Sequence, residues 1–279
     1  MKLKHILLLA LPLVMLACKK DKDDEDLSAF EQTAKDQALM ETEMGNVFQI
    51  SHELGLLESY EDLSKQGPAY KGSLPQCANL VYTASSKTLL VDFGSAPCVG
   101  KDGITRQGRY SMTFANGEYQ EKDAILTINF INYVVENVLY TGQIQVTNKA
   151  GAGAVQVLYE VFNAKAKTAT GTISWQSSFT INKIGGGGTP SVLDDVYSVV
   201  GSSNGINRRG VSYSAEITTA LKKKIQLGCA TTYVAGVVEF EDSENNFVVL
   251  DYDPFDNQAC DKIATVKINN RVAIEFMVR

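Results

Sequence analysis

The feature that most constrains this chain is an alternation of apolar and polar residues that begins near residue 79 and continues to the C-terminus. Runs rich in β-branched and aromatic residues are separated by turn residues about every ten positions, which is typical of an antiparallel β-domain. Strands are predicted at 79–84, 87–94, 105–115, 123–133, 138–147, 153–163, 168–183, 194–202, 210–219, 221–227, 233–241, 246–252, 263–269 and 271–278. Short connections favour a meander. Alternation alone fits a sandwich or a strongly curved sheet equally well.

Turn residues support these boundaries. Four dipeptides suited to positive φ are expected to join strands: Asp102-Gly103, Asn116-Gly117, Asn204-Gly205 and Asn269-Asn270. The glycine run 185–188 predicts a flexible joint near 185–190, which would divide the β-domain at 77–279 into two halves. It does not resemble a phosphate-binding loop, because no Gly-Lys-Ser/Thr follows it.

The segment 27–76 predicts an N-terminal helix over 27–60, followed by a loop. Apolar or small residues recur at three-to-four spacing: Phe30, Ala34, Ala38, Met44, Val47, Phe48, Ser51 and Leu54. Asp36, Glu41 and Glu43 lie between them, as in an amphipathic helix that packs across one face or end of the sheet. Ser28 followed by Glu31 fits a capping box at the helix start. His52, at the end of this pattern, is interpreted as a partly buried or surface histidine rather than a catalytic one.

Residues 1–17 have the composition of a signal peptide. Lys2 and Lys4 precede an apolar run that is too short for a transmembrane helix of about 20 residues. Met15-Leu16-Ala17-Cys18 looks like the lipobox of bacterial lipoproteins, and this resemblance implies cleavage before Cys18 and acylation of that residue. The alternative is an ordinary cleaved signal peptide.

Residues 18–26 contain a run of charged residues with no apolar residue, which predicts an extended, solvated tether. A lysine followed by several acids behind the lipidated cysteine also resembles the surface-export signal of lipoproteins from Bacteroidetes-type bacteria. That resemblance implies a lipid anchor in the outer leaflet of the outer membrane. The folded part would then meet the membrane only through the anchor, since more than one acyl chain makes anchoring durable.

Four cysteines remain once Cys18 is acylated: Cys77, Cys98, Cys229 and Cys260. An even number in an oxidising compartment favours two disulfides. Pairing by proximity gives Cys77 with Cys98 and Cys229 with Cys260. A four-thiolate zinc site is the alternative, but the sequence lacks any CxxC pair.

Charge and histidine content exclude some partners. The formal charge of the 279-residue chain is -6, and loss of Lys2 and Lys4 makes it more acidic by two, so nucleic acid is not expected as a partner. His5 leaves with the signal peptide, and His52 is then the sole histidine of the mature chain, which rules out a metal site with several histidines.

One loop carries a cluster of oxygen donors that suits calcium: Asp251, Asp253, Asp256, Asn257 and Asp261. It lacks the central glycine and terminal glutamate of an EF-hand, and a solvated acidic turn is the competing interpretation. No other cofactor is expected.

Three further groups are candidate sites. The first is a basic patch, for which a lysine-guarded edge strand is the favoured interpretation: Arg208, Arg209, Lys222, Lys223 and Lys224. The second is an aromatic platform for sugars, for which core packing is favoured: Trp175, Tyr110, Phe114, Tyr133 and Tyr140. The third is the pair Glu239 and Glu241, two residues apart on one strand face, which could act as acid and base.

Five stretches, in this order, resemble a family of Bacteroidetes-type cell-surface lipoproteins: Val91-Asp92-Phe93-Gly94, Asp102-Gly103-Ile104-Thr105-Arg106-Gln107-Gly108, Asp195-Val196-Tyr197, Asn207-Arg208-Arg209-Gly210-Val211-Ser212-Tyr213 and Cys260-Asp261-Lys262-Ile263-Ala264-Thr265-Val266. The resemblance spans most of 77–279 and implies surface localisation and an all-β body, but no catalytic residue. The stretch 251–255 departs from it by lacking a glycine after the aromatic residue.

The sequence therefore predicts a mainly β protein with one N-terminal helix, anchored by lipid to the outer membrane and exposed at the cell surface. A non-enzymatic binding or structural module, with a glycan or protein partner, is the expected function. The alternatives are a glycan-active enzyme, with two carboxylates facing across a cleft, and a periplasm-facing carrier of lipid or another apolar ligand, with a half-open barrel and an apolar interior under the helix.

Overall fold

A computed structural model describes residues 22–57, 73–150, 155–187, 194–226, 229, 232–243, 246–269, 271 and 273–278, with helical side chains from residue 31 onward. The signal peptide, Cys18 and most of the loop predicted after the helix lie outside these residues. The helix α1 (Lys22–Gly55) has 34 residues and is therefore about 51 Å long. It begins five residues before the predicted start, so Ser28 lies inside the helix and does not cap it.

Thirteen strands follow among the described residues: β1 (Asn79–Thr83), β2 (Thr88–Val99), β3 (Thr105–Ala115), β4 (Ile125–Val135), β5 (Val138–Asn148), β6 (Gln156–Thr168), β7 (Gly171–Gly185), β8 (Val196–Ile206), β9 (Ser212–Lys224), β10 (Ala235–Asp242), β11 (Phe247–Asp251), β12 (Ile263–Ile268) and β13 (Ile274–Met277). They form one sheet in which each strand pairs antiparallel with the next along the chain. The predicted meander is confirmed, and the single sheet excludes a sandwich.

The sheet curves strongly around the helix. Tyr133 on β4 hydrogen-bonds Glu43, and Tyr252, directly after β11, hydrogen-bonds Glu41. In a flat sheet, seven strand spacings of about 4.8 Å would separate β4 from β11 by about 34 Å. Glu41 and Glu43 are only about 3 Å apart along the helix axis. Both strands can reach them only if the sheet wraps around α1, and every residue from 31 to 57 is accordingly at least partly buried.

The curvature coincides with register shifts inside the long strands. Most of these shifts coincide with a residue of positive φ, at which the strand bulges and bends: Gly94, Gly108, Asn132, Gly142, Asn163, Gly201 and Gly236. At Gly108 (φ 74°) a Cβ would lie 1.9 Å from the carbonyl oxygen of Asn132 on the neighbouring strand. Only glycine allows the two backbones to approach this closely.

Two sequence predictions about strands and turns are corrected. The strands predicted at 210–219 and 221–227 are one strand, β9, with a bulge opposite Val237. Asn204-Gly205 lies within β8 and not in a turn. Gly205 is needed there for another reason, because a Cβ would lie 2.6 Å from the backbone carbonyl oxygen of Ser174 on β7. β7 and β8 pair from Gly185 opposite Val196 to Ser174 opposite Ile206. Residues 188–190 of the expected joint near 185–190 lie outside the described residues, and the division into two halves stays a prediction.

Candidate functional site

The interior of the curved sheet contains polar side chains of α1. Asp36, Glu41 and Glu43, which an amphipathic helix would turn to solvent, are 0%, 1% and 5% exposed. The expectation that α1 packs through one apolar face is therefore wrong, because the sheet covers the helix on its polar side as well. Buried polar groups need partners, and the inward tyrosines and polar residues of the sheet supply most of them.

Asp36 connects the first half of α1 to the turn between β8 and β9. Its Oδ2 accepts a hydrogen bond from the backbone N–H of Arg208 (2.8 Å), and its Oδ1 pairs with the guanidinium of Arg208 at 2.6 Å. Beside them, Asn207 Nδ2 donates to Thr33 Oγ1 at 2.7 Å. The ion pair of Asp36 with Arg208 leaves no uncompensated buried charge, so its role is to fix the helix against this turn.

Gln37 is the centre of the next group. Its Nε2 donates to Glu41 Oε1 (2.6 Å) and Ser203 Oγ (2.8 Å). Its Oε1 accepts from Trp175 Nε1 (2.8 Å) and Tyr213 OH (3.0 Å), so its amide is bonded on both sides. Burial raises the pKa of Glu41 to about 7, although hydrogen bonds from Tyr252 and Gln37 oppose the shift.

Glu43 lies about half a helical turn beyond Glu41 and accepts a hydrogen bond from Tyr133 OH at 2.9 Å. Burial raises the pKa of this carboxyl, and the positive charge of Arg106 acts in the opposite direction. Arg106 is itself 1% exposed and holds Asp102 through two hydrogen bonds of 2.7 and 3.2 Å.

His52 lies near the C-terminal end of α1 and is 4% exposed. Its Nδ1 is 2.7 Å from Tyr119 OH, and its ring stacks on Phe48. Burial, together with the positive charge of Lys183, lowers the pKa of His52 to about 4, so the imidazole is neutral at pH 7. Among the described residues nothing hydrogen-bonds its Nε2.

A pocket opens beside His52, between α1 and the inner face of β7 to β9. Its enclosed part has a volume of about 30 Å³, room for two or three water-sized groups. Most of the lining is apolar or aromatic: Phe48, Ile181, Tyr197, Val199, Ile225 and Tyr233. Its polar lining includes His52, Gln49, Glu53 and Lys223.

Lys223 is the cation of this pocket. It is 6% exposed, its Nζ donates to Asn46 Oδ1 at 3.0 Å, and it lies 5.9 Å from the ring centroid of Tyr233. No acidic side chain of the described chain forms an ion pair with it. Burial lowers the pKa of Lys223 to about 8, with Glu43 and Glu53 acting against the shift. Lys223 therefore remains mostly protonated at pH 7.

The predicted calcium loop follows β11. Its side chains hydrogen-bond the loop's own backbone: Asp251 Oδ1 accepts from the N–H of Asp253, Asp253 Oδ1 from those of Asn257 and Gln258, and Asp261 Oδ1 from that of Ile263. Within the described residues no three His, Cys, Asp or Glu side chains come together as a metal site would require. Asp256 adopts a positive φ of 52°. The calcium site stays a prediction.

The two expected cysteine pairs come together. Cys77 is bonded to Cys98 and Cys229 to Cys260, with Cα–Cα distances of 5.7 and 4.8 Å. The first disulfide joins the segment before β1 to the end of β2, and the second joins the β9–β10 connection to the loop before β12. One cysteine of each pair, Cys98 and Cys229, is buried, and we assign both disulfides a structural role.

The basic, aromatic and glutamate groups lie in different parts of the fold. The basic residues do not form one patch, because Arg208 pairs with Asp36 while Lys222 and Lys224 bind Gln258 at the opposite end of β9. Since β9 pairs on both sides, it is not the edge strand favoured from the sequence. The aromatic group is core, as expected, and all five of its side chains are at most 7% exposed. Glu239 and Glu241 lie on the outer face of β10.

Sequence reasoning missed Lys223 as a buried residue and Gln37 as a centre of hydrogen bonding. A signal for Lys223 was present, because it alternates with Leu221 and Ile225 and so shares their inward face. A signal for the polar helix face was the number of tyrosines at inward strand positions, whose hydroxyl groups need partners when buried.

Comparison of the chain with protein-family models, with curated proteins and with solved structures found no match. Within the described part of the chain, no helix combines the length and apolar character needed to cross a membrane.

Proposed function

We propose that this chain is a lipid-anchored protein of the outer-membrane surface that acts as a non-enzymatic binding or structural module. The lipobox-like Met15-Leu16-Ala17-Cys18 and the charged run behind it support the anchor and its surface position. Because α1 begins at Lys22, four residues after Cys18, the folded body would lie within about 14 Å of the lipidated residue.

The helix that fills the interior of the sheet is the observation that supports the non-enzymatic part of this proposal. The polar groups of α1 hold the helix to the sheet: Asp36 binds Arg208, Glu41 binds Tyr252 and Glu43 binds Tyr133. A glycoside-cleaving site needs two carboxylates on either side of an open cleft. A carrier needs an apolar interior under the helix. A sheet filled by a hydrogen-bonded helix supports a rigid module more than either alternative.

Anchoring is tested in the native host with the full chain and the variant Cys18→Ser. We expect the unaltered chain to incorporate a labelled fatty acid and to react with a membrane-impermeant biotin reagent on intact cells, whereas the variant should lose the fatty acid. Labelling by biotin only after lysis would overturn the surface position. Absence of fatty acid from the unaltered chain would overturn the anchor.

Partner and activity are tested separately. A glycan array probed with and without calcium examines the glycan partner and the loop from Asp251 to Asp261 together, and binding that disappears with a chelator would favour both. Release of sugars from host or bacterial glycans by the purified full chain, lost in Glu239→Gln or Glu241→Gln, would replace the binding role with a glycan-active enzyme.

A further inference from the structure

We propose that Asn116, in the connection between β3 and β4, is a site of spontaneous covalent modification. The backbone nitrogen of Gly117 displaces ammonia from the side-chain amide of Asn116, and water then converts the product to aspartate or isoaspartate. Water is the only co-reactant. The proposal goes beyond the binding or structural role and depends on neither the lipid anchor nor a partner.

The chain contains asparagine followed by glycine twice, at Asn116-Gly117 and at Asn204-Gly205. Glycine favours this reaction because it has no side chain to shield its nitrogen or to restrict the backbone rotation that brings the nitrogen to Cγ of the asparagine. Both asparagines are exposed to solvent. Sequence and exposure therefore do not separate the two sites, and the backbone around each one decides.

Asn116 and Gly117 lie outside the hydrogen-bonded part of the sheet. The last pair between β3 and β4 is Ala115 with Ile125, and the connection begins at Asn116. Within the described residues, neither the side chain of Asn116 nor the backbone N–H of Gly117 has a hydrogen-bond partner. The peptide between them can therefore rotate toward Cγ without breaking a hydrogen bond.

Asn204-Gly205 lies inside β8, between two neighbouring strands. Gly205 is opposite Trp175 on β7 and Tyr213 on β9. Asn204 Oδ1 accepts a hydrogen bond from Gln176 Nε2 at 2.8 Å. A strand paired on both sides holds its backbone extended, so the nitrogen of Gly205 can reach Cγ only when β8 opens. This second site should react much more slowly than the first.

The reaction at Asn116 balances without any oxidant or reductant. The nitrogen of Gly117 loses its proton and bonds to Cγ, the Cγ–Nδ2 bond breaks, and Nδ2 leaves as ammonia. Water then opens the cyclic imide. Cleavage of the new Cγ–N bond gives aspartate, and cleavage of the original peptide bond gives isoaspartate, in which the main chain runs through the side chain. Either product adds a carboxylate that is ionised at pH 7.

The rest of the connection stays attached to the body after this change. Tyr119 is 5% exposed, and its hydroxyl lies 2.7 Å from His52 Nδ1. Its backbone oxygen accepts a hydrogen bond from Asn148 Nδ2 at 3.2 Å. These contacts begin beyond Gly117, so a longer main chain at Asn116 does not disturb them. The modified chain should therefore remain folded and differ in surface charge.

The test incubates the purified full chain at neutral pH in water enriched in the heavy isotope of oxygen, followed by digestion in ordinary water. Mass spectrometry of the peptides measures how much of each asparagine has become an acid that carries heavy oxygen. We expect the folded chain to react at least about a hundredfold faster at Asn116 than at Asn204, because opening a paired central strand costs much of the free energy of unfolding. In guanidinium chloride the two rates should become nearly equal.

Two matched variants locate the reaction. Asn116→Gln should remove the acidic form that anion-exchange chromatography separates from the folded chain, because glutamine would have to form a larger ring. Asn204→Gln makes the same change in β8 and should leave the amount of that form unchanged. Equal rates at the two asparagines of the folded chain would overturn the proposal, as would an Asn116 that stays unmodified while the unfolded chain reacts.

Discussion

At the scale of single residues, two buried titratable groups of α1 oppose each other. The pKa of Glu41 is raised by burial from 4.5 to about 7, and that of His52 is lowered by burial from 6.5 to about 4. A raised folded-state pKa gives stability below the unfolded value that is lost as pH rises. A lowered one gives stability above the unfolded value that is lost as pH falls. As pH rises from about 4.5 to 6.5, the stability lost at Glu41 should therefore be largely offset by the stability gained at His52.

Glu41→Gln should remove the pH-dependent contribution of Glu41 to stability. The variant keeps a neutral side chain at every pH, so its stability relative to the unaltered protein should rise between pH 4.5 and 7, by up to about 3 kcal/mol, and then level off. Urea unfolding at several pH values measures the difference.

His52→Gln is the matched comparison for Glu41→Gln, and its stability relative to the unaltered protein should fall as pH rises from 4 to 6.5. Parallel curves for the unaltered protein and Glu41→Gln would show that Glu41 titrates alike in the folded and unfolded chains.

At the scale of the strands, bulges decide the shape. Residues with positive φ interrupt the register of neighbouring strands, as at Gly108 on β3, Asn132 on β4 and Gly142 on β5. Bulges increase local twist and bend, which allows a sheet of uniformly antiparallel strands to enclose a helix. The disulfides lie near strand ends and secure connections, so they act on the loops more than on this curvature.

Gly108→Ala tests the bulge directly. Gly108 and Gly103 have nearly the same φ, 74° and 76°, but a Cβ at Gly108 would clash with Asn132 while one at Gly103 would meet nothing within 4 Å. Gly103→Ala should therefore cost about 1 kcal/mol through backbone conformation alone. Gly108→Ala should cost at least about 2 kcal/mol more, because the backbone must shift.

The midpoint of chemical denaturation reports both glycine variants. Equal costs for Gly103→Ala and Gly108→Ala would mean that the close approach of β3 and β4 at Asn132 is not needed for the fold.

At the scale of the whole molecule, the helix is part of the core and not a cover over it. Ala34, Met40, Met44 and Val47 are completely buried, and hydrogen bonds from β4, β6, β7, β8 and β9 reach α1. A helix held from so many strands cannot leave without exposing the interior of the sheet. We therefore expect α1 and the central strands to unfold as one unit.

Hydrogen exchange followed by mass spectrometry tests this unit. Amides from Met40 to Phe48 should exchange as slowly as those of β5 to β7, because both open only on global unfolding. The edge strand β13, with four residues and one neighbour, should exchange first. Exchange of the helix at least about a hundredfold faster than β6 would identify α1 as a separately opening segment.

The sequence by itself determined the secondary structure, the meander and the cysteine pairing. These follow from local signals: a period of two in the strands, short connections that leave an antiparallel neighbour as the simplest choice, and cysteines close along the chain. Strand β3 was predicted with its observed bounds, and most other strands differ by a few residues at their ends.

Only the tertiary structure decided that the sheet encloses the helix and that one pocket contains both His52 and Lys223. The apolar period of α1 describes one face, whereas the burial of Asp36, Glu41 and Glu43 depends on partners that are 90 to 211 residues away in sequence. Lys223 and His52 are brought together by the curvature, which arises from bulges on many strands at once. No local sequence pattern specifies the total curvature of the sheet, because each bulge bends its strand only slightly and the closure of the interior depends on all of the bulges.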